Sequence, residues 1–154
     1  MSILITDMSE NDFAPYLEYS TKEYAKEKQQ SGTWTPERAL MNARAEISRL
    51  LPQGYQTVNH RFLSLVDEAG RKVGIFWLHL SPERKEIFIY DFEIFESFRG
   101  HGLGQLAMQT LFAYSRTLGF KKISLHVFAH NARAYHVYQK LGYQETDINM
   151  SKWL

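Results

Sequence analysis

The sequence has no cysteine, and that absence removes disulfides, thiolate metal sites and cysteine-nucleophile chemistry together. Such a chain suits a reducing compartment, so a cytoplasmic location is expected. Excess charge of one sign is also missing. Eighteen Lys and Arg stand against seventeen Asp and Glu, and a net charge of +1 gives no general field for a nucleic acid or a membrane surface. Neither is expected as a partner. No stretch approaches the roughly 18 apolar residues of a membrane helix. The start, Met1-Ser2-Ile3-Leu4-Ile5-Thr6-Asp7, lacks the basic and long apolar segments of an export signal, so an unexported protein is expected. What is present is 154 residues, 44% of them hydrophobic, which is enough apolar surface to offset the entropy of ordering the chain. One domain over residues 1–154 is expected.

The residue periods divide this domain into elements. Ser2 to Thr6 is a short apolar run. Ser9, with Asp12 three residues later, starts a helix carrying Phe13, Tyr16, Leu17 and Tyr24 at helical spacing, and Ser31-Gly32 ends it. Thr35-Pro36-Glu37 signals a second helix start, followed by the stripe Leu40, Ala43, Ile47, Leu50 and Leu51. The middle changes period: Arg61 to Val66, Lys72 to Leu80 and Glu86 to Phe95 are β-rich runs separated by short turns, the pattern of an antiparallel meander. Strict alternation in the third run puts Phe88, Tyr90, Phe92 and Ile94 on one face and Ile87, Ile89, Asp91 and Glu93 on the other. From Gly102 the helical period returns as far as Gly119. A strand with Ile123, Leu125 and Val127 follows, then a helix capped by Asn131 and closed by Gly142, then a last strand within Tyr143 to Leu154. The predicted order is βααβββαβαβ, an α/β fold with a mixed sheet in which a meander is joined to a βαβ crossover.

The chemistry concentrates at Arg99-Gly100-His101-Gly102-Leu103-Gly104, between a strand and an amphipathic helix. A glycine turn at a helix start points unpaired main-chain N–H groups at an anion, and glycine lets a phosphate reach the backbone. Between Ser97 and Gln144 there is no Asp or Glu, while Arg99, Arg116, Lys121, Lys122, Arg133 and Lys140 are all cationic. A ligand with several phosphates suits that field. The P-loop pattern fails, because Gln105 and Leu106 follow Gly104 where Lys and Ser or Thr are required. A dinucleotide fold needs an acid about twenty residues further on, and none stands near Val127. The six histidines form no metal-ligand spacing backed by acids, so no metal is expected.

Phe98-Arg99-Gly100-His101-Gly102-Leu103-Gly104, then Leu125-His126-Val127, then Asn131-Ala132-Arg133-Ala134-Tyr135-His136-Val137-Tyr138-Gln139-Lys140-Leu141-Gly142-Tyr143, resembles the Gcn5-related N-acetyltransferases. The match is ordered and spaced over nearly the full length. The resemblance implies a sheet whose central strands splay, acetyl-coenzyme A as the donor, and transfer to a primary amine of a small molecule or protein. It implies a diphosphate on the amides of Arg99 to Gly104 (Arg99, Gly100, His101, Gly102, Leu103, Gly104). The pantetheine arm would lie along the backbone of Ile94 and Phe95 and near Asn131, with Tyr138 beside the sulfur. Dimers are common among proteins like this one, so a homodimer stays open.

The residues then allow a mechanism. With no Cys and no Gly-x-Ser-x-Gly elbow, direct attack in a ternary complex is the simple route. Tyr138, a phenol protonated at neutral pH, is the expected general acid. For the base, His126 ranks first, with Asp91 and Glu93 as alternatives. The loops between the first two helices and around Tyr55 to His60 are expected to wall the acceptor site. Trp34, Trp77 and Trp153 read as core or groove aromatics. The competing functions are a catalytically silent acyl-CoA-binding module and a nucleic-acid binder using the cationic half.

Overall fold

The computed structural model describes residues 1–154. Its strands are β1 (Leu4–Asp7), β2 (His60–Val66), β3 (Lys72–Ser81), β4 (Glu86–Ile94) and β5 (Lys122–Leu125), lying side by side in that order. The first four pair antiparallel, and β4 pairs parallel with β5. The helices are α1 (Glu10–Gln30), α2 (Ala39–Leu50), α3 (Leu103–Thr117) and α4 (Ala132–Lys140). Helix α3 is the crossover that a parallel β4–β5 pair needs. No helix is long and apolar enough to cross a membrane.

Two cores hold the layers together. On one sheet face, Met8, Ile47 and Leu51 pack with Phe62, Ile75 and Trp77 beneath α1 and α2. On the other, Leu103, Ala107, Met108 and Leu111 of α3 meet Leu65, Phe76, Leu78 and Ile87, and Tyr138 of α4 and its C-cap Leu141 add to them. Each fully buried aliphatic side chain here contributes roughly 1.5–3 kcal/mol of transfer free energy. The Ser9 hydroxyl caps α1 by accepting from the Asp12 amide at 3.2 Å, as its spacing predicts.

Four boundaries differ from expectation. Helix α2 begins at Ala39, because Arg38 and Ala39 both donate to the Thr35 carbonyl and Thr35–Arg38 becomes an entry turn. Strand β5 ends at Leu125, so His126 lies just past it. The expected last strand is absent. Gln144-Glu145-Thr146-Asp147 offers no apolar face to hold against the sheet, Glu145 accepts from the Tyr135 hydroxyl instead, and Trp153 is 86% exposed rather than a core aromatic.

The fourth difference matters most. Trp77 lies opposite Asp91 while Leu78 lies opposite Ile89, so Tyr90 is an extra residue, a bulge on β4. Alternation restarts after it. Phe92 and Ile94 join Ile87 and Ile89 over α3, correcting the expected split, and Asp91 and Glu93 face α1 without them. The β4–β5 ladder stops at the same place, with Ile89 opposite Leu125. Beyond the bulge the two strands splay.

Candidate active site

Where β4 and β5 part, a cavity of about 490 Å³ opens through the sheet. Phe92, Asn131 and Tyr138 line it from the α4 side, and Tyr24, Glu46 and Trp77 from the α1–α2 side. It therefore connects the two faces of the sheet at the splay.

The glycine turn follows directly on Arg99, which lines the cavity. Gly100 and Gly102 have φ of 82° and 77°, in the left-handed region that a Cβ disfavours, and nothing lies within 4 Å of where either Cβ would be. The amides of Gly100 through Gln105 donate to no protein acceptor, and Leu106 is the first to bond back, to Gly102 at 3.2 Å. Six consecutive free N–H groups at the start of a fifteen-residue helix make an anion cradle with open space before it. The donor set fits a diphosphate. Arg99 departs from expectation, since its own amide closes a turn onto Glu96. Its side chain does the work instead: Nε donates to the Ile94 carbonyl at 2.7 Å and Nη2 pairs with Glu93 at 3.2 Å, tying the cradle to the end of β4.

Of the two residues expected to offer backbone, only one does. The Phe95 amide is committed to the Val73 carbonyl at 2.8 Å. Main-chain groups alternate sides along an antiparallel strand, so the Ile94 N–H points the other way, into the gap that β5 has left, while the Phe92 N–H is drawn to the Asp91 carboxylate.

The side-chain candidates converge on the same cavity. Tyr138 is partly buried, its ring 5.7 Å from Tyr143, and its hydroxyl has no protein partner. Burial, reinforced by the Asp91 charge, pushes its phenol above the usual value and keeps it protonated. Burial, then the Lys28 ammonium, holds His126 below the usual imidazole range, so it is neutral at pH 7. Asn131 caps α4 by accepting from the Ala134 amide at 3.2 Å, which occupies Oδ1 and leaves the Nδ2 donors free.

Asp91 and Glu93 share the α1 face in different settings. Tyr16 donates to Asp91 at 2.7 Å and Ser20 at 3.3 Å; burial nonetheless raises the Asp91 pKa. Glu93 is also raised by burial, against the lowering effect of Tyr19, which donates at 3.1 Å, and of Arg99. The Tyr19 phenol is pushed up to about 12 by burial and by Glu93.

Comparison with known proteins adds to this geometry. A sequence model of the Acetyltransferase (GNAT) family matches residues 13–143. The chain belongs to the GNAT acetyltransferase family. It is 44% identical over 156 residues to the N-acetyltransferase YycN of Bacillus subtilis and 40% identical to YdgE of the same organism, covering 100% of the chain each time and 100% and 99% of those proteins. The crystal structure of YycN superposes with a TM-score of 0.96 at 43% identity over 99% of both chains. The PaiA N-acetyltransferase of Thermoplasma acidophilum, solved in complex with coenzyme A, shares the fold at a TM-score of 0.67 and 16% identity, over 97% of this chain and 94% of that one.

Within this GNAT fold the second wall was not legible as a site. The loops between α1 and α2 and around Tyr55 to His60 contribute no lining residue; the helices themselves do, through Tyr19, Glu23, Tyr24, Glu27 and Glu46. One signal existed. The stripe Phe13, Tyr16, Leu17 and Tyr24 of α1 is flanked at the same helical spacing by Ser20, Glu23 and Glu27, polar where a packed helix should be apolar. Trp77, expected as a core or groove aromatic, is both: it is 4% exposed and lines the cavity.

Proposed function

We propose that this enzyme moves an acetyl group from acetyl-coenzyme A to a primary amine of a small molecule or protein while both are bound. The observation that carries the reading is the row of unpartnered amides from Gly100 to Gln105, directly after Arg99 in the cavity lining. Coenzyme A bound to PaiA supports it. The donor supplies the acetyl group as a thioester. The cradle amides, with those of His101 and Leu103 among them, hold its diphosphate. The Nδ2 of Asn131 holds the arm that enters the gap, and the free N–H of Ile94 meets the thioester end of that arm.

Three residue roles complete the proposal. His126, neutral at pH 7, takes the proton from the acceptor ammonium. The hydroxyl of Tyr138, kept protonated and free of partners, gives a proton to the leaving sulfur. The N–H of Ile94 stabilises developing charge on the carbonyl oxygen at that thioester end, a contribution of roughly 3–4 kcal/mol when the donor is preorganised. Proximity in the shared cavity supplies further rate.

The test is release of free thiol from acetyl-coenzyme A across a library of amines, paired with calorimetric titration of coenzyme A into Gly102→Val. Amine-dependent release and a loss of coenzyme A affinity in the variant are expected. Unchanged affinity would remove the cradle from the proposal.

A further inference from the structure

We infer that the acceptor carries a second cationic group besides the amine that is acetylated, and that Glu46 selects for it; this rests on the transfer reading above. The cavity has two chemically different ends. At the α4 end are Tyr138 and Asn131, assigned to the donor. At the α1–α2 end, carboxylates and aromatic rings face one space, with Glu23, Glu27 and Glu46 beside Tyr24, Trp77 and Tyr90. The only Lys and Arg in the lining are Lys28 and Arg99, and Arg99 is already paired with Glu93. Glu23 is paired with Lys26 and Glu27 with His130, which leaves Glu46 as the carboxylate of this end with no basic partner.

The rings supply a second, independent preference. Trp77 stacks on Tyr90 with centroids 4.9 Å apart, and its indole N–H donates to His60 Nδ1 at 3.0 Å, which fixes the ring plane. His60 can accept there because burial and His79 lower its pKa to about 4 and keep it neutral. Ring faces attract cations, and this end already holds one: the Lys28 ammonium sits 5.7 Å from the Tyr24 centroid and 5.3 Å from that of Trp34. An ammonium is thus a species this wall accommodates.

Glu46 is the residue placed to hold an incoming one. Tyr24 donates to its Oε1 at 2.9 Å, and its Oε2 takes no hydrogen bond from the protein. The chemistry of the reaction explains why a second charge is needed. An amine must lose its proton before attack, and with it its attraction to a carboxylate. A second ammonium on Glu46 keeps that attraction while the first is deprotonated.

The test compares a series of α,ω-diamines of increasing length with the n-alkylamines of matching length, using thiol release with wild type, Glu46→Gln and Tyr24→Phe. Wild type is expected to favour a diamine of matching span over its monoamine by about tenfold or more in kcat/KM, the scale of one charge-assisted contact. In Glu46→Gln that ratio falls by about tenfold, with the acetyl-coenzyme A KM unchanged; in Tyr24→Phe it falls less. Monoamines performing as well as diamines in wild type, or a ratio unmoved in Glu46→Gln, would overturn the inference. Calorimetric titration of the same amines reads the preference without turnover. A protein that binds the diamine more tightly and releases no thiol would therefore sink the transfer reading and leave the second-cation site standing.

Discussion

Before Tyr90, strand β4 is paired on both edges, with β3 and with β5; after it, with β3 alone. The first half puts Ile87 and Ile89 at 0% and 5% exposure in the core under α3. The second half carries Asp91 and Glu93 against α1 and leaves the Ile94 N–H turned into the gap beside β5. One inserted residue separates a stretch that stabilises the fold from a stretch that is open to a ligand. The open half costs ladder hydrogen bonds and places two carboxylates where burial raises their pKa.

The comparison is most easily broken by truncating each half in turn. Ile87→Ala is expected to cost roughly 2–5 kcal/mol, because a fully buried side chain leaves a cavity that the neighbouring α3 residues cannot close. Ile94→Ala, on a partly buried position at the edge of the gap, is expected to cost about 1 kcal/mol. Denaturant unfolding measures both, and equal costs would mean that the bulge does not divide stability from function. Next in size is Tyr138→Phe, expected to lower kcat about 100-fold with the acetyl-coenzyme A KM unchanged and the thermal midpoint nearly so. A kcat equal to wild type would leave the leaving thiolate without this acid.

Much of this division could be read from the residues. The three meander strands, the glycine turn and the Asn131 cap all announce themselves through local signals: β-branched and aromatic runs, glycine at left-handed positions, and a side chain that satisfies a helix start. The bulge does not, since an extra residue in a ladder is defined by the partner strand and leaves the period of Glu86–Ile94 formally intact. The commitment of the Phe95 amide to Val73 is hidden for the same reason. The α1–α2 wall was missed because Glu23, Glu27 and Glu46 look like the solvated faces of amphipathic helices, and only the tertiary packing of α1 on α2 turns them toward a cavity.

The smallest expected effect concerns Asp91. Its folded-state pKa is raised above the ordinary 3.8, chiefly by burial. Over the pH interval between the unfolded and folded values the native state binds the extra proton, so stability falls as pH rises from 3.8 until the folded value is passed. The slope from one such group is at most about 1.4 kcal/mol for each pH unit. Asp91→Asn removes the titration while its side-chain oxygen still accepts from Tyr16. Denaturant midpoints taken across acidic pH should therefore show wild type losing ground to the variant as pH rises, and parallel curves would mean that Asp91 is as well solvated as a surface carboxylate. The same charge helps to hold Tyr138 in its protonated form. A buried carboxylate that weakens the fold, with its charge felt by the phenol proposed as the acid, is what distinguishes the open half of β4 from the closed one.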